Sequence, residues 1–408
     1  MVERSASISR RKLLKLGLDA ALVYGAAQTL PAEAAINAVA LPFDNGERPL
    51  VRYPQKRPLI RLTTRPPQLE TPMSVFNESV LTPNDAFFVR YHLAQSPALI
   101  RAETFHLEVK GKVNTPLTLT LQDLKQFQPI EVVAVNQCSG NGRGFSSPRV
   151  AGGQLGNGAM GNARWKGVPV KAILDKAGVQ EGAKQVLFNG ADAPPAETIP
   201  DFIKSLDIDH ARDGEVLLAY AMNDEDLPVL NGYPLRLVVP GYYGTYWVKH
   251  VNEITVIDSV FDGFWMKTAY RIPNNQCACI APGTKPAATV PINRMNVRSL
   301  ITSHADRATV SAGDLLKISG IAFDGGYGIT EVVYTTDDGK SWRGAELGPD
   351  LGKYSFRQWS AKIVLNKGSH VLAVRAINRI GQTQPVEALW NPAGYMRNSI
   401  EKIKVLAE

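Results

Sequence analysis

Three stretches of this chain gather side chains able to hold a metal or an anion. In Glu131-Val-Val-Ala-Val-Asn-Gln-Cys138-Ser-Gly-Asn-Gly-Arg143-Gly, an apolar run delivers one cysteine into a loop of glycine, asparagine and serine, five residues ahead of an arginine. Backbone amides and a guanidinium close to a thiol favour the thiolate, the form that ligates soft metals or attacks electrophiles. A cysteine taken blindly is more often inert core; the polar, glycine-rich surroundings argue against that here. In Phe87-Phe88-Val89-Arg90-Tyr91-His92, the arginine and histidine are two apart and share a face if the segment is extended. Alone, that pair reads as a surface strand bearing a cation. In Asn231-Gly232-Tyr-Pro-Leu-Arg236-Leu-Val-Val-Pro240-Gly241, running into Gly244-Thr245-Tyr-Trp-Val-Lys249, an apolar strand ends at a glycine-rich turn with cations on both sides. Amides and two cations in that pattern can cradle a phosphate. A plain sheet strand would explain the valines but not the glycines together with Arg236 and Lys249.

Such side chains need elements to carry them. Between Phe87 and about Ile280, short β-type runs alternate with Gly and Pro, and the pattern predicts strands at 105–109, 130–135, 186–188, 235–239 and 253–257. Helical spacing is confined to 121–127 and 170–177. The reading is an α+β fold with a mixed sheet and without the strand–helix alternation of a dinucleotide-binding domain. The preceding residues, 35–83, are Pro-rich and are expected to form an irregular wrap. After a Pro- and Ala-rich linker, 281–291, alternating runs at 316–322, 329–335, 359–364 and 370–376 predict a β-sandwich. Asp337-Asp338-Gly339 supplies a hairpin turn within it.

Composition narrows the class. The 408 residues are 44% hydrophobic and 20% charged, an ordinary globular balance, and three cysteines are too few to staple such a chain. The formal charge of +7 is diffuse, which argues against a nucleic-acid binder. Ser9-Arg10-Arg11-Lys12 precedes an apolar run from Leu16 to Leu30 broken only by Asp19, followed by Ala32-Glu33-Ala34. This predicts a twin-arginine export signal over 1–34 and a periplasmic destination. The run is shorter than the ~20 apolar residues of a membrane span. Because that route carries folded proteins, a cofactor inserted before export is expected. Cys277-Ala-Cys279 offers too few ligands for a metal and reads as two structural cysteines, free or bonded to each other.

Taken together, the stretches resemble the sulfite oxidase family of molybdenum enzymes, most closely its bacterial periplasmic sulfite dehydrogenases. The likeness extends over nearly the whole chain after the leader. Cys138 with Arg143, Phe88-Val89-Arg90-Tyr-His92, Gly161-Asn-Ala-Arg-Trp165, Gly190-Ala-Asp192, Glu215-Val-Leu-Leu-Ala-Tyr220, Pro234-Leu-Arg236, Val248-Lys249 and Phe264-Trp265-Met-Lys-Thr-Ala-Tyr270 fall in the family's order. The resemblance implies a molybdopterin-binding catalytic domain at 84–285 and an immunoglobulin-like dimerisation domain at 292–408. It implies that Cys138 ligates a molybdenum also held by one molybdopterin. Arg90, Arg143 and Tyr270 would line the catalytic pocket over the metal. Phe88, Val89, His92, Asp192, Asn231, Arg236, Gly244, Thr245 and Lys249 would surround the cofactor, with Arg236, Thr245 and Lys249 at the pterin phosphate. Asn231 departs from the family, where many relatives have a histidine.

The implied activity is oxidation of sulfite to sulfate, with electrons passed singly to an external acceptor, expected to be a separate c-type cytochrome. The sequence holds no Cys-x-x-Cys-His for c-type haem and no recognisable b-type haem motif, so no haem is expected in this chain. Alternatives within the enzymes are an exported reductase of sulfoxides, which lacks the sandwich, and a nitrate reductase-like enzyme, whose haem and flavin modules are missing. An exported adhesion protein would use the sandwich but leaves the cysteine loop and its arginines unexplained.

Overall fold

A computed structural model describes residues 38–41, 46–95, 97 and 99–408, so the leader expected over 1–34 lies outside the described residues. The run that ends at Cys138 forms the strand Ile130–Gln137 and pairs antiparallel with Met160–Pro169, from Ile130 opposite Gly167 to Gln137 opposite Met160. Leu217–Met222 continues this sheet and pairs in turn with Arg236–Val238, so one sheet carries both the cysteine loop and Arg236. Beside it, Lys204–Asp207, Gln185–Gly190, Val251–Ile257, His106–Gly111 and Leu117–Thr120 make a mixed sheet, parallel only between Val251–Ile257 and His106–Gly111. The α+β class with a mixed sheet is therefore as read from the sequence.

The helix Val170–Ala177 follows from its pattern. Val170, Ile173, Leu174 and Ala177 recur at helical spacing and are buried, Pro169 precedes the first turn, and Gly178 at φ +70° closes the last by donating to the Leu174 carbonyl. The other helix expected from the sequence is Leu121–Lys125, two residues shorter than expected and started by a reciprocal Thr120–Asp123 capping pair, and the structure adds two single-turn helices, Ile208–Ala211 and Phe264–Lys267.

The expected irregular wrap over 35–83 is corrected by the structure. Glu47–Val51, Leu59–Thr63, Gln68–Glu70 and Val89–Arg90 belong to one antiparallel sheet. Pro54, Pro58, Pro66 and Pro67 fall between its strands, where a missing amide costs no ladder bond. The linker expected over 281–291 is also partly strand, since Thr289–Pro291 pairs with Arg271–Pro273.

Two sheets form the C-terminal sandwich: Arg298–Ile301, Leu315–Phe323, Arg357–Val364 and Glu346–Leu347 in one; Ala308–Val310, Lys402–Ala407, Gly368–Asn378, Ile329–Thr335 and Arg343–Gly344 in the other. Ile318, Val332, Trp359, Leu372 and Val405 fill the space between them. The sandwich also shares the larger core, to which it contributes Leu300, Ile321, Phe323, Tyr354 and Phe356. Val135, on the edge strand that leads to Cys138, donates its amide to the Tyr354 carbonyl at 2.9 Å, so the sandwich covers an edge that would otherwise be open.

The N-terminal sheet braces the same region from another side. Buried Glu70 accepts the amides of Gly156 (3.0 Å) and Gly158 (3.1 Å), beside Ala159, whose carbonyl accepts the Cys138 amide at 2.9 Å. Burial raises the Glu70 carboxyl from 4.5 to about 7, against the pull of those two amides. Between these values the unfolded chain ionises the group while the fold keeps its proton, so stability falls as pH rises through the window. The full effect is about 3 kcal/mol. Glu70→Gln should remove this share of the slope and flatten urea midpoints measured from pH 4.5 to 7; an unchanged slope contradicts the assignment.

Candidate active site

Strand ends and turns from distant parts of the chain meet at one pocket. Phe88, Arg90 and His92 enter it from the N-terminal sheet, Cys138 from the sheet edge, Asp192 from the turn after Gln185–Gly190, and Asn231, Arg236, Gly244, Thr245 and Lys249 from the glycine-rich stretch. Tyr270 joins them just after the short helix Phe264–Lys267, in a left-handed conformation at φ +57°. All but two of the site residues expected from the sequence line this pocket.

The exceptions are Val89 and Arg143. Val89 points away and packs with Leu59, Leu69 and Tyr91, because alternation along a strand sends it to the face opposite Arg90. Arg143 turns back from the loop: its Nε donates to the Ala393 carbonyl at 2.8 Å and its Nη1 to Gly153 at 3.3 Å, with the guanidinium 4.9 Å from the centre of the Tyr395 ring. It stands behind the pocket, within electrostatic reach of Tyr270. Glycines make that return possible, since a Cβ at Gly140 or Gly152 would lie within 2.9 Å of the guanidinium.

Asn231 is the hub of the anion-facing side. Its amide donates to the Phe88 carbonyl at 2.9 Å, its side-chain oxygen accepts Lys56 Nζ at 2.5 Å, and its carbonyl accepts Arg236 Nη1 at 2.9 Å. The Arg236 guanidinium packs over Trp165 and Trp247, 5.4 and 5.8 Å from the ring centres, which holds its plane before any ligand arrives. Lys249 donates to the Arg90 carbonyl at 2.7 Å and lies against the face of Tyr91. Burial, reinforced by Arg236, Arg90 and Lys56, holds the Lys249 ammonium well below its ordinary value, against the opposing charge of Asp192. Burial likewise lowers Arg236 to about 9 and Lys56 to about 7, and raises the Asp192 carboxyl.

On the side nearer Cys138, His92 Nε2 and the Tyr270 hydroxyl are 2.5 Å apart, and the imidazole stacks on Phe202 at 3.6 Å. Burial first, then Arg90, Lys249 and Lys204, push His92 far below its usual titration range, so its ring is neutral. Burial raises the Tyr270 phenol, which stays protonated.

Several contributors were not singled out from the sequence. Asn136, near the end of the strand that leads to Cys138, and Ser139, the residue after it, line the pocket, so their position was a usable signal. Lys56 and Lys204 arrive from remote segments and carried none. Gly244 has a steric role, because a Cβ there would sit 2.3 Å from Asn136 Oδ1. Cys277 and Cys279 are disulfide-bonded to each other, one of the two states expected.

The residues fit an anionic, phosphate-bearing cofactor with a soft metal. Arg90 Nη1, Ser139 Oγ, Arg236 Nε and Thr245 Oγ1 are buried without a protein partner, and burial of such donors is costly unless something accepts from them. Among the described residues no group of three or more His, Cys, Asp or Glu could hold a metal. A metal at the lone Cys138 must therefore bring further ligands with it, as a dithiolene would. In cofactor-free protein, Lys249→Met should raise the thermal midpoint by about 2–4 °C through removal of a buried amine whose charged form is disfavoured by burial and by its cationic neighbours. It should also abolish the further rise produced by inorganic phosphate; a phosphate response equal to the parent's contradicts the cradle.

The comparisons with known proteins agree with this chemistry. Residues 93–265 match the family model described as oxidoreductase molybdopterin binding domain, and 289–408 match the Mo-co oxidoreductase dimerisation domain. Mitochondrial sulfite oxidase of Drosophila melanogaster is 33% identical over 88% of this chain and 65% of its own length. Sulfite oxidase of Gallus gallus is 30% identical over 86% of this chain and 79% of its own, and that of Arabidopsis thaliana 29% over 89% and 98%. The chain thus spans about two thirds of the animal mitochondrial relatives. The sulfane dehydrogenase SoxCD of Paracoccus pantotrophus shares the fold, with a TM-score of 0.72 at 24% identity over 98% of this chain and 92% of that one. On these grounds, and on a pocket that joins one soft sulfur to a cradle of buried cations, the chain belongs to the sulfite oxidase family.

Proposed function

We propose that the protein oxidises sulfite to sulfate at a molybdenum held by one molybdopterin and by Cys138, and passes electrons singly to a separate c-type cytochrome. The observation that carries this reading is the convergence on one pocket of Cys138, the unpartnered Arg90 Nη1 and the protonated Tyr270, next to the cationic cradle. Arg236, Thr245 and Lys249 would hold the pterin phosphate and neighbouring polar atoms. Asp192 and His92 would face the pterin, and Phe88 would pack against it.

The molybdenum cofactor, when bound, supplies the oxygen transfer and takes up the two electrons. The chain's own residues do the rest. Sulfite is a small oxyanion that exchanges with its dianion near neutrality, and Arg90 presents planar, forked donors to it. Neutral His92, in its Nε2–H form, would donate to the Tyr270 oxygen 2.5 Å away and so turn the phenolic proton toward the oxyanion. Arg143 adds positive potential from behind without touching substrate. Enclosure by Phe202, Trp247 and Tyr270 limits water around the reacting atoms and strengthens each of these interactions.

The twin-arginine pattern at Arg10-Arg11 supports export to the periplasm after cofactor insertion, and the match to a dimerisation domain over 289–408 supports a homodimer. Among the described residues no helix is long and apolar enough to cross a membrane. Steady-state oxidation of sulfite by metal-loaded protein, with ferricyanide or cytochrome c as acceptor, tests the reading, and absence of turnover overturns it. Arg90→Gln should raise KM for sulfite roughly tenfold or more with a smaller change in kcat, because it removes a charged hydrogen bond to the oxyanion. An unchanged KM removes Arg90 from the substrate site. Cys138→Ser should fold with the parent's thermal midpoint and lose turnover, since a hydroxyl is a poor ligand for a soft metal; parental turnover in that variant refutes the ligand assignment.

A further inference from the structure

A segment near the C-terminal end of the chain is fastened to the cysteine loop at many points. Trp390 Nε1 donates to the Pro148 carbonyl at 2.8 Å, and the Trp390 carbonyl accepts the Ile280 amide at 2.9 Å. The Ala393 carbonyl accepts Arg143 Nε, and the Met396 amide donates to the Ser139 carbonyl at 3.0 Å, one residue from Cys138. Asn391 brackets Tyr395, accepting its amide at 3.0 Å and donating to its carbonyl at 2.8 Å. At Gly394, φ is +59° and a Cβ would lie 2.9 Å from Arg143 Cγ, so the chain there is pressed against the arginine.

This fastening lays the Tyr395 ring on Tyr270. The two rings are stacked, 5.2 Å between centres and 16° between planes, and the Arg143 guanidinium lies 4.9 Å from the Tyr395 centre. The other aromatic neighbours of Tyr270 meet it at steeper angles: His92 at 74° and Trp265 at 40°. Among the described residues, Tyr395 is the one aromatic ring that lies near-parallel to that of Tyr270. It does not itself line the pocket, and Tyr270 is the pocket residue on which its ring is stacked.

We propose that Tyr395 is a positioning residue: its ring, held through the fastened segment and backed by the Arg143 guanidinium, sets the plane of Tyr270 and so the direction in which the Tyr270 hydroxyl meets the substrate oxyanion. The inference rests on the sulfite-oxidising reading of the site. It makes the Arg143–Tyr395–Tyr270 stack a link from the C-terminal segment to the pocket, and it assigns the influence of Arg143 to this stack rather than to direct contact. It also separates the two parts of the Tyr395 side chain, since the ring makes the stack on Tyr270 while the hydroxyl interacts with Arg143.

The test compares Tyr395→Leu with Tyr395→Phe in metal-loaded protein. Two readouts are taken: sulfite kinetics, and the 19F resonance of 3-fluorotyrosine placed at position 270. Tyr395→Leu should raise KM for sulfite about tenfold with less than about threefold loss of kcat, the pattern of a lost ground-state contact. Its 19F line should broaden or split as the Tyr270 ring gains orientations. Tyr395→Phe keeps the stack and should restore KM to within about threefold of the parent, with a single sharp 19F line. A parental KM and sharp line in Tyr395→Leu overturn the proposal, as does a Phe variant as impaired as the Leu variant. If the parent does not oxidise sulfite, the functional reading fails by itself, and the 19F comparison still decides whether Tyr395 orients Tyr270.

Discussion

The structure depends on a cluster of cationic side chains that burial disfavours and that the protein offsets in part, through Asp192 at Lys249 and Asp85 at Lys56. Arg90, Arg236, Lys249 and Lys56 interact electrostatically around one pocket, and Asp192 is the carboxylate that opposes Lys249 there. Such crowding is unfavourable in a low-dielectric interior unless an anion joins it. The surrounding architecture reads as provision for that guest. Two tryptophans hold Arg236 flat, Asn231 ties three segments together beneath it, and Gly244 leaves room for Asn136. A phosphate-bearing cofactor would turn this arrangement from a source of instability into a binding site. Loading would then stabilise the fold by linkage.

The sandwich belongs to the same problem. It seals the open edge of the strand that leads to Cys138, places Phe323 and Phe356 in the larger core, and carries, between its strands Gly368–Asn378 and Lys402–Ala407, the segment that presents Tyr395. Domain limits drawn from composition place it outside the catalytic centre. The packing instead makes it one wall of the region around the cysteine loop. A domain matched to a dimerisation family can therefore serve the chemistry of its own chain as well as assembly.

Much of this was legible in the residues, and the failures have physical causes. The helix Val170–Ala177 was readable because period, proline and glycine all agreed, whereas the N-terminal sheet was not, because its strands are short and its ladder joins segments separated by prolines. Cys138, Arg236 and Lys249 were readable because local glycines and cations surround them. Arg143 misled because nearness in sequence suggested nearness to the pocket, whereas the glycines at 140 and 152 let its side chain return behind the loop. Lys56, Lys204 and Tyr395 reach the centre through long-range folding alone, and no local pattern marks them. His92 and Tyr270 were each marked, but their 2.5 Å contact joins residues 178 apart and belongs only to the folded chain.

The central claim is that a soft metal sits on the Cys138 sulfur with sulfite as its reductant. Elemental analysis of purified protein, combined with paramagnetic resonance before and after sulfite is added, tests it most directly. The account predicts stoichiometric molybdenum and a paramagnetic molybdenum signal that appears on addition of sulfite. Folded protein purified under molybdenum-replete conditions that holds none, or holds molybdenum that does not respond to sulfite, would contradict it.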